Sequence, residues 1–407
     1  MKEEVASIAR MRSDFEHKLN ARGSFPSDYA RYAEYEMNLE FLRRKRVQRL
    51  GVVKSSRHAG QRRILFILER GTRKFHGDLG LWMQYIEYAR KQKSYKKLGQ
   101  IFSSVLRLHP TKQELWIYAA KYVLDTQADI TEARSYMQRG LRFCKNSPQL
   151  WLEYAKLEMI YLAKIGARSK ILGLDHALAP RLSSTDSATL PSAMEEALGT
   201  GEASDAVVDM SAEKLSLGPV LNGAIPKAIF DAAMKQFAHD LSLAERFFDL
   251  FAGFSEVQCT QVVIDHVLRA LLVTAPDHVV SQSCHIRQPT SVVDHASADF
   301  PAALATSLER LKLSMETTSR KTELAPRVIR WLLDLLRTPD LDDAIRRVLS
   351  ATLAQVVRGL QDAADNEVGL REDEVRRLIG SLREADRPKE AQSLLEFAAK
   401  RWGSTIP

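Results

Sequence analysis

The sequence predicts an all-α fold in which helical hairpins stack into a solenoid, an α-α superhelix. Three observations predict it. Leu81-Trp82, Leu115-Trp116 and Leu150-Trp151 recur 34 and 35 residues apart, and Tyr85 and Tyr154 stand three residues after the first and third Trp. An apolar pair precedes each Trp: Ile67-Leu68, Ile101-Phe102 and Tyr136-Met137 each begin 15 residues upstream, and Gly71, Val105 and Gly140 follow at a fixed offset. No segment shows sustained period-two alternation, so strand is expected almost nowhere. Self-similarity of this length marks stacked helix-turn-helix units. One hairpin cannot bury its apolar face alone, so successive hairpins stack and bury it between them.

Taken in order, residues 5–22 read as a first helix with Ile8, Phe15 and Leu19 on one side. Ser27 or Asp28 caps the next, where Tyr29, Tyr32, Tyr35 and Glu36 state a version of the repeat face. That helix continues through Arg43, Arg44, Lys45, Arg46 and Arg49, five basic residues in seven. Residues 64–75 form the second helix of a first hairpin, and residues 82–91 open the next, ending in a basic turn at Lys91, Lys93, Lys96 and Lys97. Pro110 and Pro148 fall just after second helices, as stops. Residues 133–144 and 151–165 complete the array. Trp151, Tyr154, Ala155 and Glu158 lie at i, i+3, i+4 and i+7, one helical face.

Tyr29, Tyr32, Trp82, Tyr85, Trp116, Trp151, Tyr154 and Glu158 make up the repeat signature, and the aromatics are read as core, not as a cofactor site. Gly71 and Gly140 belong to the same signature. They fall mid-helix, where Gly costs roughly 1 kcal/mol against Ala. A neighbouring helix crossing there, too close for a larger side chain, would explain them.

Residues 182–213 hold no Lys or Arg and seven acidic residues among Ser, Thr, Ala and Gly. They read as an acidic flexible linker, or alternatively as a phosphorylated docking segment. The linker separates a basic N-terminal array, 1–175, from degenerate repeats over 220–407. There Ile229-Phe230 with Ala233 occupies the second-helix mark, and Leu243-Ala244, Phe247 and Phe251 follow in register. Residues 257–275 read as helix and 276–300 as loop, punctuated by Pro276, Pro289 and Pro301. Residues 301–319, 326–337 and 342–361 are helical by period. Ala391, Leu394-Leu395 and Ala398 restate the spacing of Ala133, Tyr136-Met137 and Gly140.

Composition narrows the function. A chain of 407 residues, 45 % hydrophobic, holds two or three domains or one long solenoid with a sizeable core. Three cysteines in no CxxC spacing argue against a disulfide framework and fit a reducing compartment. His278, Cys284 and His285 are too loosely spaced for structural zinc. No run of eighteen apolar residues occurs, so no membrane helix is expected, and the start lacks a signal-peptide apolar region. The expectation is a soluble, intracellular protein. Net charge is +8, but residues 1–175 carry 34 Lys+Arg against 18 Asp+Glu, +16, and the remainder 25 against 33, −8. The basic half would be drawn to a polyanion or to an acidic protein face. Arg43, Arg44, Lys45, Arg46, Arg49, Arg57, Arg62 and Arg63 are the candidate strip for RNA phosphates or nuclear import. The competing reading is a solvated helix face.

Reactive groups are not nominated. No Walker-type loop, Gly-x-Gly-x-x-Gly, Gly-x-Ser-x-Gly elbow or His-Glu-x-x-His occurs. Glu153 and Glu158 lie on repeat helices. A non-enzyme without cofactor or metal is expected.

The Trp-x-x-Tyr-x-x-x-Glu faces, paired with Ala-Arg-x-x-(aromatic/aliphatic)-x-x-(Gly/Ala) helices, resemble half-a-TPR (HAT) repeats, which are TPR-like helical hairpins of RNA-processing proteins. More narrowly, residues 12–23, Asp28-Tyr29 through Glu36, Arg73-Lys74-Phe75-His76-Gly77 and Leu81-Trp82-Met83-Gln84-Tyr85 resemble the U3 small nucleolar RNA-associated protein 6 family. The close resemblance covers roughly residues 5–175. It implies a nucleolar subunit of the small-subunit processome (the 90S pre-ribosome), in the UTP-B subcomplex beside WD40-propeller subunits, acting in pre-rRNA processing with U3 snoRNA or pre-rRNA nearby. The family also has a segment ahead of the part matching residues 1–16, so the resemblance implies a chain that begins inside the family's length. Ala119 replaces the Tyr after Trp116, and Tyr88-Ala89 replaces the Glu of the second face. A scaffold that holds segments of other proteins is the leading expectation. Direct RNA binding by the basic half is a second, and a HAT-repeat role in pre-mRNA splicing or 3′-end processing a third.

Overall fold

The computed structural model describes residues 2–51, 58–171, 222–318, 320–338, 341–366, 372–385 and 387–402. Among them stand seventeen α-helices, one 3₁₀ turn and no strand. The all-α helical-repeat expectation holds. Two compact units divide the chain, Met1–Cys144 and Lys145–Pro407.

The first unit contains α1 (Lys2–Asn20), α2 (Pro26–Leu50), α3 (Ala59–Lys74), α4 (Leu79–Lys91), α5 (Tyr95–Leu108), α6 (Gln113–Thr126) and α7 (Ile130–Phe143). Each packs on the next, and α2 also touches α4. The even-numbered helices carry the aromatic face and the odd-numbered ones from α3 onward the apolar pair. Tyr29, Tyr32, Trp82, Tyr85 and Trp116 are all buried, as are Ile67-Leu68, Ile101-Phe102 and Tyr136-Met137. The helix that begins near residue 26 is capped differently from expectation. Pro26 holds the first helical position, and the Asp28 carboxylate accepts from the Phe25 backbone N–H at 2.9 Å. Asp28 thus caps from inside the first turn, because Pro26 fixes the start of the helix two residues earlier.

The period is written in hydrogen bonds as well as in burial. Trp82 Nε1 donates to the His76 carbonyl at 3.0 Å, and Trp116 Nε1 to the Pro110 carbonyl at 2.9 Å, in both cases six residues back. Each of these carbonyls takes a second donor from the end of the following odd-numbered helix: His109 Nε2 at 2.8 Å and Cys144 Sγ at 3.4 Å. The two loops are therefore closed by one device. Gly71 meets the expectation of close approach: a Cβ there would stand 2.5 Å from Leu81 Cδ2 and 3.0 Å from Tyr29 Cδ1. Gly140 is buried.

The second unit contains α8 (Pro148–Ile171), α9 (Ala224–Gln236), α10 (Leu241–Ala252), α11 (Thr260–Thr274), α12 (Val279–Arg287), a 3₁₀ turn (Gln288–Thr290), α13 (Phe300–Thr317), α14 (Lys321–Leu336), α15 (Asp343–Asn366), α16 (Glu372–Glu384) and α17 (Pro388–Trp402). The first helices of successive hairpins touch in a row, α8–α10–α12–α14–α16, and each hairpin closes on itself as α8–α9, α10–α11, α12–α13, α14–α15 and α16–α17. The degenerate register is kept. Ile229, Phe230 and Ala233 of α9, Leu243, Ala244, Phe247 and Phe251 of α10, and Ala391, Leu394 and Ala398 of α17 are all buried. α8, with Trp151, lies in this unit, although the sequence groups it with the N-terminal array. Residues 182–213, the expected linker, lie outside the described residues.

Two boundaries differ from expectation. Residues 276–300, expected as loop, contain α12 and the 3₁₀ turn. Ser281, Ser283 and Cys284 of α12 are buried beside Val279, Val280 and Ile286. Small polar residues on the inner face blur the apolar period that would have revealed the helix. α14 begins at Lys321, with Pro326 inside it and buried. A Pro ahead of an apolar period reads as a first-turn residue, but here a full helical turn precedes it.

Candidate functional site

The basic strip is built on the C-terminal half of α2 and the first turn of α3. Those helices place its cations over the carboxylates of Glu36 and Glu40, both buried. Arg43 grips Glu40 through Nε and Nη2, each at 2.8 Å. Arg44 reaches the same carboxylate at 3.2 Å and Gln92 at 2.8 Å. The hydrogen bond from Arg43 holds the Glu40 carboxyl below the usual range, so it stays ionised. Arg63 lies 3.7 Å from Glu36, and Arg46 pairs with Glu4 of α1. Lys45 sits over the Phe41 ring at 4.4 Å. Arg49 and Arg62 are exposed and form no ion pair among the described residues. Arg57 lies outside the described residues. The strip is therefore mixed, with Arg43, Arg44, Arg46 and Arg63 holding glutamates, and Lys45, Arg49 and Arg62 facing outward without one.

Glu36 also binds α1. Arg12 donates to both its oxygens, at 2.6 and 2.9 Å, from 24 residues away. Phe15 of α1 stacks on Tyr32 at 5.0 Å between ring centroids. Nothing in the repeat period signals this clamp, since Arg12 precedes the first hairpin. Only Glu36 itself was visible, as the acidic residue seven positions after Tyr29.

The seventh position recurs as a buried site. Glu36 and Glu158 are each 1 % exposed, and Ala89, Val123 and Phe251 fill the same place on α4, α6 and α10. Tyr154 is buried like Tyr85 and Tyr32. Trp151 differs from the other two tryptophans: it is half-buried, and its Nε1 has no acceptor among the described residues.

In the second unit the row of first helices carries an ion-pair chain that the sequence did not reveal. Arg287 of α12 pairs with Asp249 at 2.8 Å and Glu245 at 3.4 Å, both on α10, and Arg327 of α14 binds Glu245 at 2.5 Å. The Arg287 guanidinium lies over Phe248. Three successive first helices are thus tied side by side. Nearby, burial pushes the Cys284 thiol up to about 12, so it stays protonated and lacks the thiolate a nucleophile or metal ligand needs. His278 caps α12 by accepting from Val280 N–H at 3.2 Å. No group of His, Cys, Asp and Glu among the described residues is placed to hold a metal, and no described helix is long and apolar enough to cross a membrane.

Stacked hairpins whose loops close by a repeated tryptophan hydrogen bond define the class: an all-α helical-repeat protein. The resemblance read from the sequence is shown in the comparisons. Residues 1–66 match the family model described as U3 small nucleolar RNA-associated protein 6. The protein of that name from Schizosaccharomyces pombe is 40 % identical over 174 residues, 42 % of this chain and 36 % of the relative. The U3 small nucleolar RNA-associated protein 6 homolog of Homo sapiens is 31 % identical over 169 residues, 40 % of this chain and 28 % of the relative. That of Dictyostelium discoideum is 25 % identical over 265 residues, 63 % of this chain and 42 % of the relative. The chain thus spans less than half the length of each of these relatives in the matched region.

Proposed function

We propose that this chain is a non-catalytic scaffold of the nucleolar small-subunit processome, working in pre-rRNA processing and small-subunit biogenesis. Its partners are other processome proteins, the WD40-propeller subunits of the UTP-B subcomplex among them, with U3 snoRNA or pre-rRNA close by. The observation that carries the reading is the family match at residues 1–66 on a stack of hairpins, in whose basic strip Arg43, Arg44, Arg46 and Arg63 are held by the chain's own glutamates. An arginine clamped on a carboxylate must break that pair before it can neutralise a phosphate, so the strip suits orientation near RNA better than tight RNA binding. Stacked repeats, by contrast, present large surfaces to extended protein segments without any reactive group.

The test is immunoprecipitation of the tagged chain from cells, followed by sequencing of the RNA that accompanies it. U3 and pre-rRNA are expected, and spliceosomal RNA in their place would transfer the chain to pre-mRNA processing. A triple charge reversal of the cations that hold no glutamate among the described residues, Lys45→Glu, Arg49→Glu and Arg62→Glu, reports on direct contact. The scaffold reading expects U3 recovery to persist. Its abolition, together with a steep salt dependence of RNA binding by the isolated chain, would make RNA the primary ligand.

A further inference from the structure

Between α3 and α5, the second helices of two successive hairpins in the first unit, lies a groove of about 650 Å³. Its floor is formed by Trp82 and Tyr85 of α4, and its walls bear Arg73, Lys97, Arg107 and Glu69. The floor is unevenly satisfied. The Trp82 N–H has the His76 carbonyl, whereas the Tyr85 hydroxyl, on a side chain only 2 % exposed, has no hydrogen-bond partner among the described residues. Buried hydroxyls are ordinarily paired, so an orphan at the floor of a groove points to a ligand acceptor. Burial first, and then the neighbouring Glu69 charge, raise the Tyr85 pKa, so the group is an O–H donor at neutral pH.

The walls say what that acceptor is. Glu69 is already engaged, one oxygen with Arg73 at 2.7 Å and the other with Lys97 at 3.0 Å. Arg107 is exposed and holds no carboxylate among the described residues. Three cations against one anion leave an excess of positive charge around a lone donor. We propose that this groove docks an acidic, extended segment of a partner protein, one of whose carboxylates accepts from the Tyr85 hydroxyl with Arg107 and Arg73 beside it. The proposal deepens the scaffold reading and rests on it. A peptide fits better than a nucleic acid strand because the apolar part of the lining, with Leu108 exposed at its edge, offers contacts to intervening side chains.

The experiment uses the full chain and a short fluorescein-labelled peptide of alternating Glu and Leu, read by anisotropy, beside an alternating Lys and Leu peptide and a single-stranded oligouridylate. The acidic peptide alone should bind. Tyr85→Phe should weaken it about tenfold, the scale of one hydrogen bond to a charged group, without lowering the melting temperature, since an unpaired hydroxyl is removed. Arg107→Glu, at an exposed position, should weaken it at least as much and keeps the question open if the Tyr85 variant folds poorly. Failure of the acidic peptide to bind, binding by both variants as tight as by the unsubstituted chain, or oligouridylate binding with the same sensitivity would each overturn the assignment. If processome proteins still co-purify undiminished with the Arg107→Glu chain, the groove is wrong and the scaffold reading stands.

Discussion

At the residue scale, Gly71 shows what the repeat demands of single positions. Its α-carbon sits where α3 passes Tyr29 of α2 and Leu81 of α4. Gly71→Leu should therefore destabilise the chain by about 2 kcal/mol through overpacking, measured as a lowered urea midpoint at unchanged m-value; an unchanged midpoint would mean the two neighbours yield freely. This residue was legible in the sequence, because a glycine inside a periodic helix calls for a close neighbour. Its neighbours were not legible, because which side chains meet it depends on how two other helices cross. The tryptophans divide in the same way. Their burial follows from the period, but their shared hydrogen bond to the carbonyl six residues back needs the loop geometry of Phe75–Asp78 and His109–Lys112.

Buried tyrosines supply a further test at this scale. Burial raises Tyr88 and Tyr136 to about 12 and raises Tyr85 as well. A group with its folded pKa raised stabilises fully below its unfolded pKa, near 10 for tyrosine, and loses that stabilisation as pH climbs through the folded value. Helicity should thus hold to about pH 10 and fall between 10 and 12, with a late phenolate absorbance step in the same interval. Phenolate appearing in full near pH 10, with helicity intact, would place these hydroxyls in water.

At the element scale, α1 is the piece whose attachment the repeats do not explain. It is held to α2 by Phe15 against Tyr32 and by the Arg12–Glu36 pair, and to α3 by Arg70 donating to Glu16. Glu36→Gln leaves Arg12 and Arg63 facing a neutral group and should cost about 1–2 kcal/mol, below the full value for a buried pair because Arg12 is a third exposed. Faster amide hydrogen exchange confined to α1 and its contact on α2 is the expected signature; exchange unchanged in α1 would assign its attachment to Phe15 instead. Sequence alone placed α1 as a helix but could not place Arg12 on Glu36, since the two are 24 residues apart and outside any repeat. α12 was missed for the converse reason: Ser281, Ser283 and Cys284 share its inner face with Val279, Val280 and Ile286 and interrupt the hydrophobic period.

At the scale of the whole molecule, the chain's two halves carry opposite charge, and the basic one is the part that matches the family model at residues 1–66. The fold class was readable throughout, down to the degenerate register of α9 and α10. The role of the basic strip was not, because charge along a helix does not say which cations are already held by glutamates of neighbouring turns and helices. That distinction separates a protein-binding frame from an RNA-binding one, and nuclease treatment of cell extract before gradient sedimentation decides it. The tagged chain is predicted to leave the largest particles yet remain in a complex of several processome proteins. Sedimentation as a free single chain once RNA is digested would mean that RNA, and not protein, had held it there.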